Sequence, residues 1–300
     1  MEITVMQSIM SLITYTLLEL RGYKQKVQNP KRMEKHMEQL ALKNREPSKS
    51  KLPRNTQEEM IGNAQIIHFN KHKNPELVIL YLHGGAYCEA PMGVHWQFMT
   101  ELTKHTGAQV DMLLYPRGPE HHFDETYKIL DEYYRNLTKT VSPEHIVFMG
   151  DSAGGGLALG FAEYLVKESL PQPRELILFS PWIDARSEYP GLSKSLARWD
   201  PMLTEYSLQV FAKAWSGTKA DLSDYRLSPL LGDFSGLTKV TCFYGTRELF
   251  YLDIDAFQKK ADLEGLDLQI EVFEKMNHVF VLTPTPEGQI AKHLVYRMLN

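Results

Sequence analysis

A serine hydroxyl set among glycines, in the stretch HIVFMGDSAGGG from His145 to Gly156, is the side chain here whose surroundings best suit a nucleophile. Gly150-Asp151-Ser152-Ala153-Gly154 fits Gly-x-Ser-x-Gly, and the pattern gains meaning because an apolar run gives way to a helical one at that point. A sharp turn there holds the serine in a strained backbone conformation, and the flanking glycines remove Cβ atoms that would strike the neighbouring strand and helix. The helix start also brings the Ala153 N–H and a positive helix end to the place where an oxyanion would develop. Five residues of this kind occur by chance in many chains, so a second, independent half-motif decides the matter. YLHGGAY, Tyr81 to Tyr87, leaves an earlier apolar run through Gly84 and Gly85, which lets main-chain N–H groups face the same point as the serine.

A serine hydroxyl attacks poorly until a base removes its proton, and the base needs a carboxylate to hold its tautomer and stabilise its cation. Among eleven histidines, His278 alone follows the serine at the end of a strand-like run, LQIEVFE. His293 falls in the last helix, and His36, His68, His72, His95 and His105 precede the serine. Glu248 follows the run KVTCFYG, in GTRELFYLD, and is the acid expected from chain order. Asp253 and Asp255 lie close behind and suit the cap and first turn of the next helix.

These side chains need a sheet whose strands all end on one side. QIIHF, LVILYLHGG, AQVDMLLYP, HIVFMG, ELILFSP, KVTCFYG and LQIEVFE read as strands, with helices over 124–140, 153–169, 253–265 and the C-terminus between or after them. Apolar strands alternating with helices predict an α/β fold, a mostly parallel sheet with helices on both faces. The rhythm breaks between Ile183 and Leu237, an insertion with Trp199 and Trp215 that would form a lid at the end of the sheet where sites form. Upstream, Asn29 and Pro30 open a helix that keeps Met33, Met37 and Leu40 on one side. Ile3, Met6, Ile9, Met10, Ile13, Leu17 and Leu20 fall at helical spacing, predicting a helix laid on a core or over a pocket. The polar, proline-bearing stretch from Glu46 to Glu59 reads as a connection. The division expected is N-terminal helices and linker (1–58), core (59–182), cap insertion (183–237) and core again (238–300).

With 300 residues, 43% hydrophobic and 23% charged, the chain can bury a large core. A net charge of -4 gives no reason to expect nucleic acid as a partner. The N-terminal apolar run is short for a span and carries Gln7, Ser8, Ser11, Thr14 and Thr16, with no basic residue ahead of it, so no stable membrane insertion is expected. Cys88 and Cys242 make neither a metal site nor a disulfide framework and read as buried thiols in a reducing compartment, the cytoplasm.

Taken together, HGGAY, YPRGPEHHF, GDSAGGGLA, SPWID, DPML, GTRELFYLD and NHVF resemble, in order and spacing, the hormone-sensitive-lipase-like esterases of the α/β-hydrolase fold, over the chain from about Leu77 onward. The resemblance implies a helical cap made of the N-terminal helices and the 183–237 insertion, and hydrolysis of small carboxylic esters with no metal and no cofactor. It implies Ser152 as nucleophile, His278 as base, Glu248 as acid, and an oxyanion hole at Gly84, Gly85, Ala86 and Ala153, Gly84 holding the turn. Pro119, Glu120 and His121 match a motif with a structural role, and Tyr87 and Trp96 are candidates to line the pocket. Two departures stand out: Ala86 replaces the family's usual third glycine and Glu248 its usual aspartate. Rival readings are an idle hydrolase fold used as a receptor and an amidase or peptidase on the same triad. The expected partner is a small-molecule ester, with homodimerisation left open.

Overall fold

The computed structural model describes residues 2–3, 7–44, 52–189, 194–218 and 220–300. In chain order its elements are β1 (Glu2–Ile3), α1 (Ile9–Leu20), α2 (Tyr23–Val27), α3 (Pro30–Asn44), β2 (Thr56–Ile61), β3 (Ala64–Phe69), β4 (Val78–Leu82), α4 (Gly93–Thr106), β5 (Gln109–Leu114), α5 (Phe123–Leu137), β6 (Ile146–Asp151), α6 (Ala153–Lys167), β7 (Glu175–Phe179), α7 (Lys194–Trp199), α8 (Glu205–Ser216), β8 (Lys239–Arg247), α9 (Ile254–Glu264), β9 (Leu268–Asn277) and α10 (Pro286–Leu299). The strands form one sheet in the order β1-β9-β8-β7-β6-β4-β5-β3-β2. From β9 to β5 every pairing is parallel, and β3 and β2 close one edge antiparallel.

Strands covered on both faces must be apolar throughout, and β4, β5, β6 and β7 are buried at every position. Alternate residues serve opposite faces. Val78, Leu80, Leu82, Ile146 and Phe148 join a core with α5, α6, α8 and α9, which also takes in Val27, Met33 and Leu40 of the N-terminal helices. Ile79, Tyr81, Val147 and Met149 face α4 and α10 in a second core. The expected α/β sheet with helices on both faces is therefore the architecture found.

Several details differ from expectation. Gln57 to Ile61, within or just beyond the expected connection, pair with β3 as an edge strand whose outer residues are mostly exposed. Ile3 belongs to a short strand on β9, so the N-terminal stripe does not form one helix; Met6 lies outside the described residues. The apolar side of α1 does not lie on a core either: Ile9 and Leu20 are 79% and 76% exposed, and Met10, Leu12, Ile13 and Leu17 are exposed with them. What α1 turns inward is its small polar side. Ser8 and Ser11 donate to the Glu287 carboxylate at the start of α10, and charge-assisted bonds to a buried acid fix the helix where apolar packing does not. Among the described residues no helix is long and apolar enough to cross a membrane. The helix α3 is as read, with Asn29 Oδ1 accepting the Arg32 amide at 3.1 Å and Met33 and Leu40 buried. Its middle meets α8 at His36 and Phe211, whose rings sit edge to face at 6.3 Å.

Candidate active site

The site lies at the carboxyl end of the sheet, where β6 runs directly into α6 with Ser152 between them. Ser152 has φ 52° and ψ -122°, a region a residue with a Cβ rarely enters, at a cost of about 1–3 kcal/mol that the packed surroundings must offset. The close fit explains the glycines: a Cβ at Gly154 would collide with the carbonyl oxygen of Leu82, and one at Gly150 would reach within 2.6 Å of the Gly154 carbonyl carbon. The Ser152 amide donates to Phe179 O at 2.8 Å and the Ser152 carbonyl accepts from Trp182 at 2.9 Å, pinning the turn to the end of β7.

Ser152 Oγ lies 2.9 Å from His278 Nε2, and His278 Nδ1 lies 2.6 Å from Glu248 Oε2. A carboxylate only accepts, so Nδ1 carries the proton and Nε2 is left to take one from the serine. The three groups are 8%, 4% and 0% exposed, in the order Ser152, His278, Glu248. Burial disfavours a charged His278, but the hydrogen bond and charge of Glu248, helped by Asp200 and Asp151, outweigh it and raise its pKa. Such a ring is a stronger base than a free imidazole. The extra methylene of glutamate is used to fold back: Oε1 accepts from the Gly245 amide at 2.7 Å and from Ser180 Oγ at 2.9 Å. Ser180 Oγ in turn accepts the Val279 amide at 3.0 Å, so one hydroxyl ties acid to base. Asp253 takes no part in this relay. It stands at the N-cap position of α9 without a side-chain capping hydrogen bond, receives the Tyr189 hydroxyl at 3.3 Å, and is pushed up to about 8 chiefly by burial, with Asp184 adding to the effect.

The loop after β4 runs alongside. Gly85 (φ 117°), Ala86 (φ 50°) and Tyr87 (φ 61°) turn through left-handed conformations, Ala86 adopting one despite its side chain. The amides of Gly85 and Ala86 have no hydrogen-bond partner among the described residues, and that of Ala153 is the first of α6, where no carbonyl of the helix can reach it. Gly84 is the turn-holding member of the set. Its amide donates to Asp151 Oδ1 at 2.9 Å, and a Cβ there would strike the same carboxylate, so this glycine holds the loop and does not offer a free N–H. Asp151 also accepts the Tyr81 hydroxyl at 2.7 Å and His95 Nε2 at 3.1 Å. Burial resists its ionisation, but the His95 ring and these hydrogen bonds prevail and lower its pKa. His83 stays neutral, pushed down to about 3 by burial although its bond to the Gly84 carbonyl works the other way.

Around the site, Tyr87 stacks between Trp182 and Trp215 at 5.4 and 4.8 Å, and Phe250 meets His278 edge-on at 5.1 Å. Trp96 is elsewhere: it stacks on Phe69 in the second core, away from Tyr87. From α3, Asn44 Nδ2 donates to the carbonyls of Cys88 and Gly118 at 2.8 and 2.7 Å, docking the N-terminal helices against the oxyanion-side loop. Pro119 follows that Gly118, and His121 contacts Glu125 at 2.9 Å. Cys88 and Cys242 are buried and free, and no cluster of metal-ligating side chains occurs among the described residues. Ser180, Asp151 and Asp200 stand inside the quoted stretches SPWID, GDSAGGGLA and DPML, yet their types and spacing carried no signal of what they touch.

Comparison with known proteins agrees with this geometry. The alpha/beta hydrolase fold family matches residues 79–282. An esterase of Acinetobacter venetianus is 30% identical over 200 residues, which span 66% of each chain. A Staphylococcus aureus crystal structure provisionally described as an esterase superposes with TM-score 0.85 at 28% identity, covering 91% of this chain and 93% of that one. An esterase from the bacterial hormone-sensitive lipase family superposes with TM-score 0.80 at 26% identity and 98% coverage of both.

Proposed function

Since the chain belongs to the alpha/beta hydrolase fold family, in its hormone-sensitive-lipase-like branch, we propose that it is a serine carboxylesterase acting on small esters through an acyl-enzyme. The observation that carries this is the unbroken relay Ser152 Oγ, His278 and Glu248, at 2.9 and 2.6 Å, beside the open amides of Gly85, Ala86 and Ala153. Ser152 Oγ bonds to the ester carbonyl carbon while His278 Nε2 takes the hydroxyl proton and Glu248 stabilises the imidazolium. The carbonyl electrons move onto oxygen, to which the three amide N–H groups donate hydrogen bonds; each such donor is worth about 10²–10³ in rate. The C–O bond to the alcohol then breaks with the proton returned by His278, and water repeats the sequence to release the acid.

A nucleophile only 8% exposed, in a site whose oxyanion-side loop carries the Trp182–Tyr87–Trp215 stack, suits compact esters with short acyl groups better than polymers. The N-terminal helices and the 183–237 insertion together form the cap over it. A reducing compartment, the cytoplasm, is in keeping with two buried, unpaired thiols. The test is hydrolysis of p-nitrophenyl esters of graded acyl length beside the matched anilides. Turnover highest on short acyl esters, with anilides far slower, is expected. No turnover of any ester favours the idle receptor, and anilides cleaved as fast as esters favour the amidase.

A further inference from the structure

Glu248 follows directly on the last residue of β8, and the backbone on both sides of it is held by other elements. On one side, the Arg247 guanidinium lies over the rings of Tyr15 on α1 and Trp199 on α7, at 5.2 and 4.8 Å. On the other, Leu249 N–H donates to Asp200 Oδ2 at 3.0 Å. Asp200 is fully buried in the cap insertion, and its other oxygen accepts the amides of Met202 and Leu203, both at 2.8 Å, which makes its own loop a rigid turn. Its carbonyl accepts Lys24 Nζ from α2. Three segments distant in sequence, α2, the 200–203 turn and the end of β8, therefore converge next to the acid of the relay.

We propose, building on the esterase reading above, that Asp200 is a positioning residue for Glu248: it fixes the backbone that follows the acid, so that assembly of the cap and alignment of the triad are one event. The need for such a hold follows from the glutamate. Glu248 reaches its partners by folding back onto Gly245, three residues earlier, and a side chain with an additional rotor loses alignment unless the backbone beneath it is fixed. A carboxylate is the fitting clamp, since both of its oxygens accept, and three amides converge on it. Its charge also favours the protonated ring of His278, together with Glu248 after β8 and Asp151 at the end of β6, the carboxylates whose charge acts on that ring.

Two variants of the full chain test this. Asp200→Asn keeps the shape but turns an N–H₂ toward converging donors and removes the charge. Asp200→Ser can still cap its own turn but is too short for Leu249, and serves if the asparagine variant does not fold. For either, kcat on a p-nitrophenyl ester should fall about tenfold or more with KM within about twofold. The acid limb of the kcat/KM profile should move to lower pH by about half a unit or more, because His278 loses support for its cation. A loss confined to stability, with kcat and the acid limb unmoved in the folded variant, overturns the inference while leaving the esterase reading intact. A wild-type protein that hydrolyses no ester overturns the esterase reading first, and this inference with it.

Discussion

Replacing Asp151 by asparagine removes one oxygen's charge from a fully enclosed set of donors and should damage stability and turnover together. The outcome depends on the tautomer of His95. The Met92 amide donates to His95 Nδ1 at 2.9 Å, so Nδ1 accepts and the ring proton sits on Nε2, which donates to Asp151 Oδ2. In Asp151→Asn, Oδ1 can keep Tyr81 and Gly84, but the new N–H₂ confronts the Nε2 proton, donor against donor. One buried donor left unmatched costs about 1–3 kcal/mol, and the two surviving bonds lose their charge assistance, for a total of about 3 kcal/mol. For a chain of 300 residues that lowers Tm by roughly 5 °C. The Gly84 amide is the tether of the loop carrying Gly85 and Ala86, so kcat should drop about tenfold or more as the oxyanion donors lose alignment. The sign with pH is fixed by the lowered pKa of Asp151. Its contribution is present above the unfolded carboxylate value of about 3.9 and is lost as pH falls through the lower folded value, so the variant's stability should be flatter on the acid side. Thermal unfolding from pH 3 to 8 and steady-state kinetics at pH 7.5 give the measurement. An Asp151→Asn protein with wild-type Tm and kcat would refute the reasoning.

Glu248→Gln should lower kcat by orders of magnitude, whereas Asp253→Asn, which touches Tyr189 and not His278, should leave it within about threefold; kinetics ranking them the other way would reassign the acid. Glu163, buried on α6, is pushed up to about 9 mainly by burial, so deprotonation weighs against the fold as pH rises from about 4.3 toward 9. Glu163→Gln should therefore gain in Tm over wild type across that window and hold its advantage above it, as scanning calorimetry at several pH values would show. Gly154→Ala should abolish folding or activity, since its Cβ meets the backbone of Leu82 and His83, and soluble, fully active protein would contradict the tight elbow.

The strand-and-helix order was legible because parallel strands buried on both faces leave continuous apolar runs, and Ser152, Glu248 and His278 were legible because each follows such a run at its carboxyl end. Gly84 was read as the residue that holds the turn, but nothing in the local sequence names the carboxylate its amide is tied to. Asp151, Ser180 and Asp200 were hidden for a related reason: their partners lie 67, 68 and 49 residues away, as Gly84, Glu248 and Leu249, and no local period encodes such contacts. The first helix misled because an apolar stripe at helical spacing normally faces inward, whereas here Ser8 at the N-cap of α1 and Ser11 within it, bonded to Glu287, set the orientation.

The nucleophile is tested most directly by counting covalent label. An organophosphonate that traps activated serines should add one equivalent to the wild-type chain, on the peptide bearing Ser152, and none to Ser152→Ala, whose ester hydrolysis should fall by several orders of magnitude with Tm little changed. One equivalent of label on folded Ser152→Ala, or ester turnover surviving in it, would contradict the account.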